Sequence, residues 1–217
     1  MRRFARAAPS KTDKRRNVDI RITDMTAGDA LWWDTRLGPA HARDASRADR
    51  LWVWSVLLPM CHLVQRAKRR HCRPLVVWAR ADTGRFVRAG MCLIIEEYPY
   101  LDVRRPADAN FLWFLSAADS AALRSDYAMS HPPALGRILL DMAIVLSQNA
   151  GRGGRMGLHA ARAGGDGLLA FYAHCGLTTL PRRAALPPSV QRPNDGRFFY
   201  ADERLAEALA AALDASR

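Results

Sequence analysis

The sequence predicts a mixed α/β domain whose sheet is mostly antiparallel and flanked by helices. Three observations carry that expectation. Residues 18–22 (VDIRI) alternate apolar and polar, the period of a half-buried strand. Residues 75–79 (LVVWA) and 86–96 are two strand-like runs joined by a turn at Asp82, Thr83 and Gly84, which together read as a hairpin. Residues 134–149 place Leu135, Ile138, Leu139, Met142, Ile144, Val145 and Leu146 near the spacing of a buried helix face, and a short strand at 156–160 follows.

The other elements fall between these. Residues 23–29 form a turn into a helix. Residues 30–70 are helical in character, interrupted at Gly38-Pro39 and again at Pro59. A strand at 110–116 (NFLWFLS) precedes a polar stretch, 117–130, and then His131, Pro132 and Pro133. Glycines at 151, 153 and 154 end the long helix. Asp166 caps a helix that runs through Cys175 and stops at Gly176. A strand at 177–180, a proline-rich loop to Asp195, a strand at 197–200 and a helix at 203–213 capped by Asp202 complete the order. No internal repeat is present.

Composition narrows the function classes. The chain of 217 residues has 33 Lys+Arg against 21 Asp+Glu, a formal net charge of +12. Half of that charge sits in residues 1–16, where Arg2, Arg3, Arg6, Lys11, Lys14, Arg15 and Arg16 face only Asp13. Residues 1–16 are therefore expected to be a basic disordered tail, and 17–217 one domain. Arg66, Lys68, Arg69, Arg70 and Arg73 form a second basic cluster. Tail and cluster make RNA contact an expectation, although no RNA-binding motif is present. The longest apolar run, 51–64, is shorter than a membrane-spanning helix and contains Ser55, Pro59 and His62, so no membrane association is expected. The first residues lack the apolar stretch of a secretory signal. The four cysteines show no CxxC pair, so free thiols and a cytoplasmic location are expected. Cys61-His62 and His71-Cys72 match no zinc spacing, and no metal is expected.

Residues 135–177 carry the most specific signal. They read LGRILLDMAIVLSQNAG (135–151), RMGLHAA (155–161) and GDGLLAFYAHCGL (165–177). This segment resembles the GNAT superfamily of acyl-CoA-dependent N-acyltransferases. The family shows a helix opening G-R-x-L-L, a short strand, and a helix ending F-Y-x-x-x-G-F/L. The resemblance implies a GNAT-like fold, acetyl-CoA as cosubstrate and a primary amine of a small molecule or protein as acceptor. It places the pyrophosphate loop at residues 131–136, where the family's final glycine is kept as Gly136, the first position is His131 and the middle glycine is replaced by Ala134. Cofactor binding is then expected of His131, Ala134, Leu135, Gly136 and Arg137, because a helix start offers free N–H groups and a favourable dipole.

The same resemblance makes Tyr172 the acid that protonates the departing thiolate. A base must also leave the amine unprotonated. Glu96 and Glu97, at the end of a strand facing the expected cleft, are the candidates, and strand alternation lets only one of them face it. Asp119, after the next strand, is a further carboxylate candidate, and His131, His159 and His174 are weaker ones. Two other readings stand beside the acetyltransferase. One is a GNAT-type toxin acting on aminoacyl-tRNA, motivated by the basic segments. The other is a non-catalytic GNAT-like binding module, motivated by the altered loop.

Overall fold

The protein is described by a computed structural model over residues 18–68, 70–188, 190 and 192–214. The expected basic tail, 1–16, and Arg69 of the second cluster lie outside the described residues. The elements in chain order are β1 (Ile20–Asp24), α1 (Ala27–Arg36), α2 (Gly38–Arg43), α3 (Trp54–Lys68), β2 (Cys72–Arg80), β3 (Phe86–Pro99), β4 (Asp108–Ala117), α4 (Ser120–Tyr127), α5 (Leu135–Asn149), β5 (Met156–His159), a 3₁₀ turn (Arg162–Gly164), α6 (Gly165–His174), β6 (Thr178–Thr179), β7 (Phe198–Ala201) and α7 (Glu203–Asp214).

Seven strands form one sheet in the order β1-β2-β3-β4-β5-β7-β6. Every neighbouring pair is antiparallel except β4 and β5. That is the mixed, mostly antiparallel sheet with flanking helices that the sequence predicts. The parallel pair needs a crossover, and α4 and α5 supply it. The ladder between β4 and β5 is short. It pairs Asn110 with Met156, Phe111 with Gly157 and Leu112 with Leu158. Beyond Leu112 the rest of β4 has β3 on one side and no strand on the other among the described residues, so the sheet opens into a fork.

Local chemistry explains several boundaries. Thr26 caps α1 through a reciprocal pair with Asp29: the Asp29 N–H donates to Thr26 Oγ1, and the Thr26 N–H donates to the Asp29 carboxylate. Asp29 also accepts from Arg88 Nε at 2.8 Å, which ties α1 to β3. Asp34 of α1 takes the first free N–H groups of α3, those of Trp54 and Ser55, both at 2.8 Å. Asp202 accepts from the Leu205 N–H and caps α7, as expected.

Helix α5 packs on the sheet antiparallel to β4. Past its midpoint, Asn110 Nδ2 donates to the Ala143 carbonyl at 3.0 Å. One turn earlier Leu139 covers Gly90, where an added Cβ would lie 3.2 Å from Leu139 Cδ1. Gly90 is the partner of Ala117 in the sheet, so Gly136, almost one turn earlier, lies at the far end of β4.

The structure corrects four expectations. Cys61 and Cys72 are joined in a disulfide, so the expectation of free thiols holds only for Cys92 and Cys175, both buried. The bond also removes the thiols of the rejected zinc pair. Pro59 does not interrupt its helix: α3 runs continuously from Trp54 to Lys68 with Pro59 on the exposed face. The 117–130 stretch contains α4, which Asp119 caps by accepting from the Ala121 N–H at 2.7 Å. Asp166 lies inside the first turn of α6 rather than capping it. No helix among the described residues is long and apolar enough to cross a membrane.

Candidate active site

The fork between β4 and β5 is the floor of a cleft of about 1490 Å³. That exceeds the roughly 300–1,000 Å³ of an ordinary small-molecule site and leaves room for two ligands. Its walls come from the link before α3, from β3, β4, β5 and α6, from the start of α5, and from the loop before β7.

At one end stand Gly136, Phe171 and Tyr172. An added Cβ on Gly136 would fall 2.7 Å from Phe171 Cζ, so only glycine lets the start of α5 meet α6 this closely. The two halves of the sequence motif therefore touch. Tyr172 is 6% exposed and packs against Phe171 and Phe199, each with ring centroids 5.4 Å away. Burial pushes its phenol well above the ordinary tyrosine range, and Cys175 and Asp49 add to the shift. The hydroxyl therefore keeps its proton at neutral pH.

Of the five residues expected to hold a cofactor, only Gly136 lines the cleft. Leu135 is buried in the core, His131 and Ala134 are exposed, and Arg137 reaches back to the Cys175 thiol. The Leu135 N–H is used on the Pro133 carbonyl at 2.8 Å, and the Arg137 N–H on the Ala134 carbonyl at 3.0 Å. Pro132 and Pro133 have no N–H to offer.

Glu96 and Glu97 do not face the cleft. The register of β3 against β4 jumps from Ile95 to Tyr98, and Glu97 sits there at φ 54°. The bulge cancels the alternation that was to expose one of them. Glu96 lies 3.5 Å from Arg73 Nη1, 3.4 Å from His71 Nδ1 and 3.7 Å from Arg152 Nη2, while Glu97 lies 3.4 Å from Arg152 Nη2. Arg152 also donates to Asn110 Oδ1 at 3.1 Å, so these carboxylates anchor the bulge to β4. Asp119 is committed to capping α4.

The polar residues of the cleft come from elsewhere. His159, at the end of β5, lies 3.1 Å through Nε2 from Asp195 Oδ1, and its Nδ1 is 2.9 Å from Arg192 Nη1. A guanidinium cannot accept a hydrogen bond, so Nδ1 carries the lone pair and Nε2 the proton. Burial lowers the imidazole's pKa below 6.5; the Asp195 bond opposes that, and Arg192 adds to it. Burial alone would raise Asp195, but bonds from His159, the Arg197 N–H and Arg162 hold its carboxyl below the usual range. On the opposite wall Arg47 grips Asp49 through Nε at 2.9 Å and Nη2 at 2.7 Å. Arg47 also donates to the Ala117 carbonyl at 2.7 Å, and Ser116 Oγ donates to Asp49. These contacts fasten residues 46–52 to the free side of β4, and Trp52 meets Phe114 edge-on at 4.9 Å.

The sequence named His159 only as a secondary candidate and did not single out Asp49, Asp195 or Arg192. Asp195 lies in a turn-rich loop and Asp49 between two helices, so neither position carries a local signal of chemistry.

No protein-family model and no curated protein sequence matches this chain. Solved structures do resemble it. A mutant of the toxin AtaT bound to the C-terminus of the antitoxin AtaR and acetyl-CoA aligns at TM-score 0.49 and 14% identity, over 88% of this chain and 98% of that one. The KacTA–DNA complex gives 0.47 and 14%, over 88% and 99%. A spermidine N-acetyltransferase from Vibrio cholerae in complex with CoA and spermine gives 0.47 and 12%, over 87% and 98%.

Proposed function

We propose that this protein is an acyl-CoA-dependent N-acyltransferase that transfers an acetyl group from acetyl-CoA to a primary amine. The observation that carries the reading is the fork: two parallel strands separate beyond Leu112 and Leu158, and a buried, protonated phenol lines the cleft they open. The sequence resemblance of residues 135–177 supports it, because its two halves meet at Gly136 and Phe171.

The cleft fits the cosubstrate in most respects. It has the volume, and beyond Leu112 the side of β4 away from β3 has no strand partner among the described residues; Arg47 takes the Ala117 carbonyl there, which leaves the stretch before it to an extended arm. The helix start contributes less than the resemblance implied, since Gly136 is the one member of the expected set on the cleft wall. Gly136 and the stretch of β4 from Trp113 to Ala117 would hold acetyl-CoA. Bound there, it supplies an activated thioester acyl group.

The chain's own groups handle the protons. Tyr172 holds a proton on Oη for the leaving thiolate, and its raised pKa keeps that proton in place until sulfur becomes basic. His159 is neutral at neutral pH and takes the amine's proton at Nδ1, with Asp195 fixing the tautomer through Nε2. The Arg47–Asp49 pair holds one wall of the cleft against the end of β4.

A second reading, in which the amine is borne by RNA, is favoured by Arg70: one member of the 66–73 cluster lines the cleft. It predicts RNA binding that weakens steeply with salt. The main reading is tested by calorimetric titration with acetyl-CoA and by amine-dependent release of CoA thiol. Absence of binding at millimolar acetyl-CoA would overturn it.

A further inference from the structure

Among the described residues the cleft holds four arginines, Arg47, Arg70, Arg162 and Arg192, and two carboxylates, Asp49 and Asp195. Two of the arginines are committed. Arg47 is bidentate to Asp49, and Arg162 Nε lies 3.3 Å from Asp195 Oδ2. The other two form no ion pair among the described residues. Arg70 lies over the ring of Tyr98, its Cζ 4.9 Å from the centroid. Arg192 donates to a neutral acceptor, His159 Nδ1. Both guanidinium groups act on the Tyr98 hydroxyl: burial raises its pKa, and both arginines oppose that shift. Arg70, Arg192 and Tyr98 line one cleft, and the Tyr98 ring packs on Phe111 at 4.4 Å.

This place is distinct from the end that Gly136 marks. Gly136 abuts Phe171, the neighbour of Tyr172, whereas Arg192 is bonded to His159 and Arg70 stacks on Tyr98, so a cofactor at the helix start and an anion at the arginines touch different residues of one cleft. A cosubstrate held at Gly136 leaves Arg70 and Arg192 to a second ligand.

Resting on the acyltransferase reading, we infer that the acceptor amine carries an anionic group, a carboxylate or a phosphate, bound between Arg70 and Arg192 beside the ring of Tyr98. A guanidinium presents a planar fork of donors that matches both anions. Uncompensated positive charge at the same place disfavours a polycationic amine. The anion also has a second effect: by engaging Arg192 it uncovers the His159 lone pair that the amine's proton needs.

The test uses four acceptors: phosphoethanolamine, β-alanine, ethanolamine and spermidine. Wild-type kcat/KM is expected to be at least tenfold higher for an anionic amine than for ethanolamine, and the better anion tells phosphate from carboxylate. In the double variant Arg70→Gln, Arg192→Gln, that ratio is expected to fall to within twofold, with circular dichroism and Tm confirming the fold. Ethanolamine or spermidine serving as well as the anionic amines, or a preference surviving in the double variant, would overturn the inference while leaving the acyltransferase reading intact. If none of the four is acetylated, acetyl-CoA binding decides the acyltransferase reading and calorimetry with phosphoethanolamine decides the site. Binding lost in the double variant supports the anion site, and no binding by wild type overturns it.

Discussion

The two ends of the cleft are built on different principles. At the Gly136 end the requirement is steric and sequence-local: a glycine where α5 begins, an aromatic pair where α6 ends, and a packed contact between them. At the Arg70 end the requirement is electrostatic and scattered. Arg70 precedes β2, Tyr98 belongs to β3, His159 ends β5, and Arg192 and Asp195 come from the loop before β7. The first end can be read as a motif because neighbours in space are near neighbours in sequence. The second has no motif because only the fold assembles it.

The largest effect that separates the ends belongs to Tyr172. Tyr172→Phe is expected to lower kcat about 10²-fold or more, the usual span for losing a general acid, while the Kd for acetyl-CoA measured by calorimetry stays within about twofold. An unchanged kcat would remove Tyr172 from the chemistry. His159→Gln is expected to cost nearly as much. In the wild type the acid limb of the kcat–pH profile should fall below 6.5, because the folded protein holds this imidazole neutral to lower pH than a free one.

Stability tests follow. The Cys61–Cys72 bond closes a short loop, with a sequence separation of 11. Replacing both cysteines by serine is expected to lower unfolding free energy by about 3 kcal/mol in denaturant titrations. Gly136→Ala forces a Cβ against Phe171 and should cost about 1–3 kcal/mol, partly recovered when Phe171→Leu is added. Full additivity of that pair would contradict the contact. Burial also lowers the pKa of His41, which is 4% exposed, so His41 and His159 act on stability with one sign. The unfolded chain protonates them near 6.5 and the folded chain only lower, so stability is full above that pH and declines as pH falls through it.

The smallest effect is expected from Glu96→Gln and Glu97→Gln, which should leave kcat within about threefold, because both carboxylates serve Arg152, Arg73 and His71 rather than the cleft. A loss as large as that of Tyr172→Phe would reinstate them as the base.

Much of the fold was legible because its signals are local. The hairpin of β2 and β3 announces itself through Asp82-Thr83-Gly84, and α5 through its apolar period. What escaped depends on contacts distant in sequence or on residue types with two uses. Asp119 suits both a base and an N-cap, and α4 offers few apolar residues to mark it as a helix. Glu97 reaches positive φ because Arg152 and the β3–β4 register hold it there, which no pattern of strand alternation contains. Cys61 and Cys72 meet because the chain turns back between α3 and β2. Asp195 and Arg192 acquire a role only once β7 brings their loop beside His159.

Hydrogen exchange measured with each ligand in turn tests the two-ended cleft most directly. The account predicts that acetyl-CoA protects the amides of Trp113, Leu115, Ala117 and Gly136, and that an anionic amine then adds protection around Arg192 and Asp195. Protection by acetyl-CoA that falls on the Arg192–Asp195 loop and spares β4 and Gly136 would contradict it.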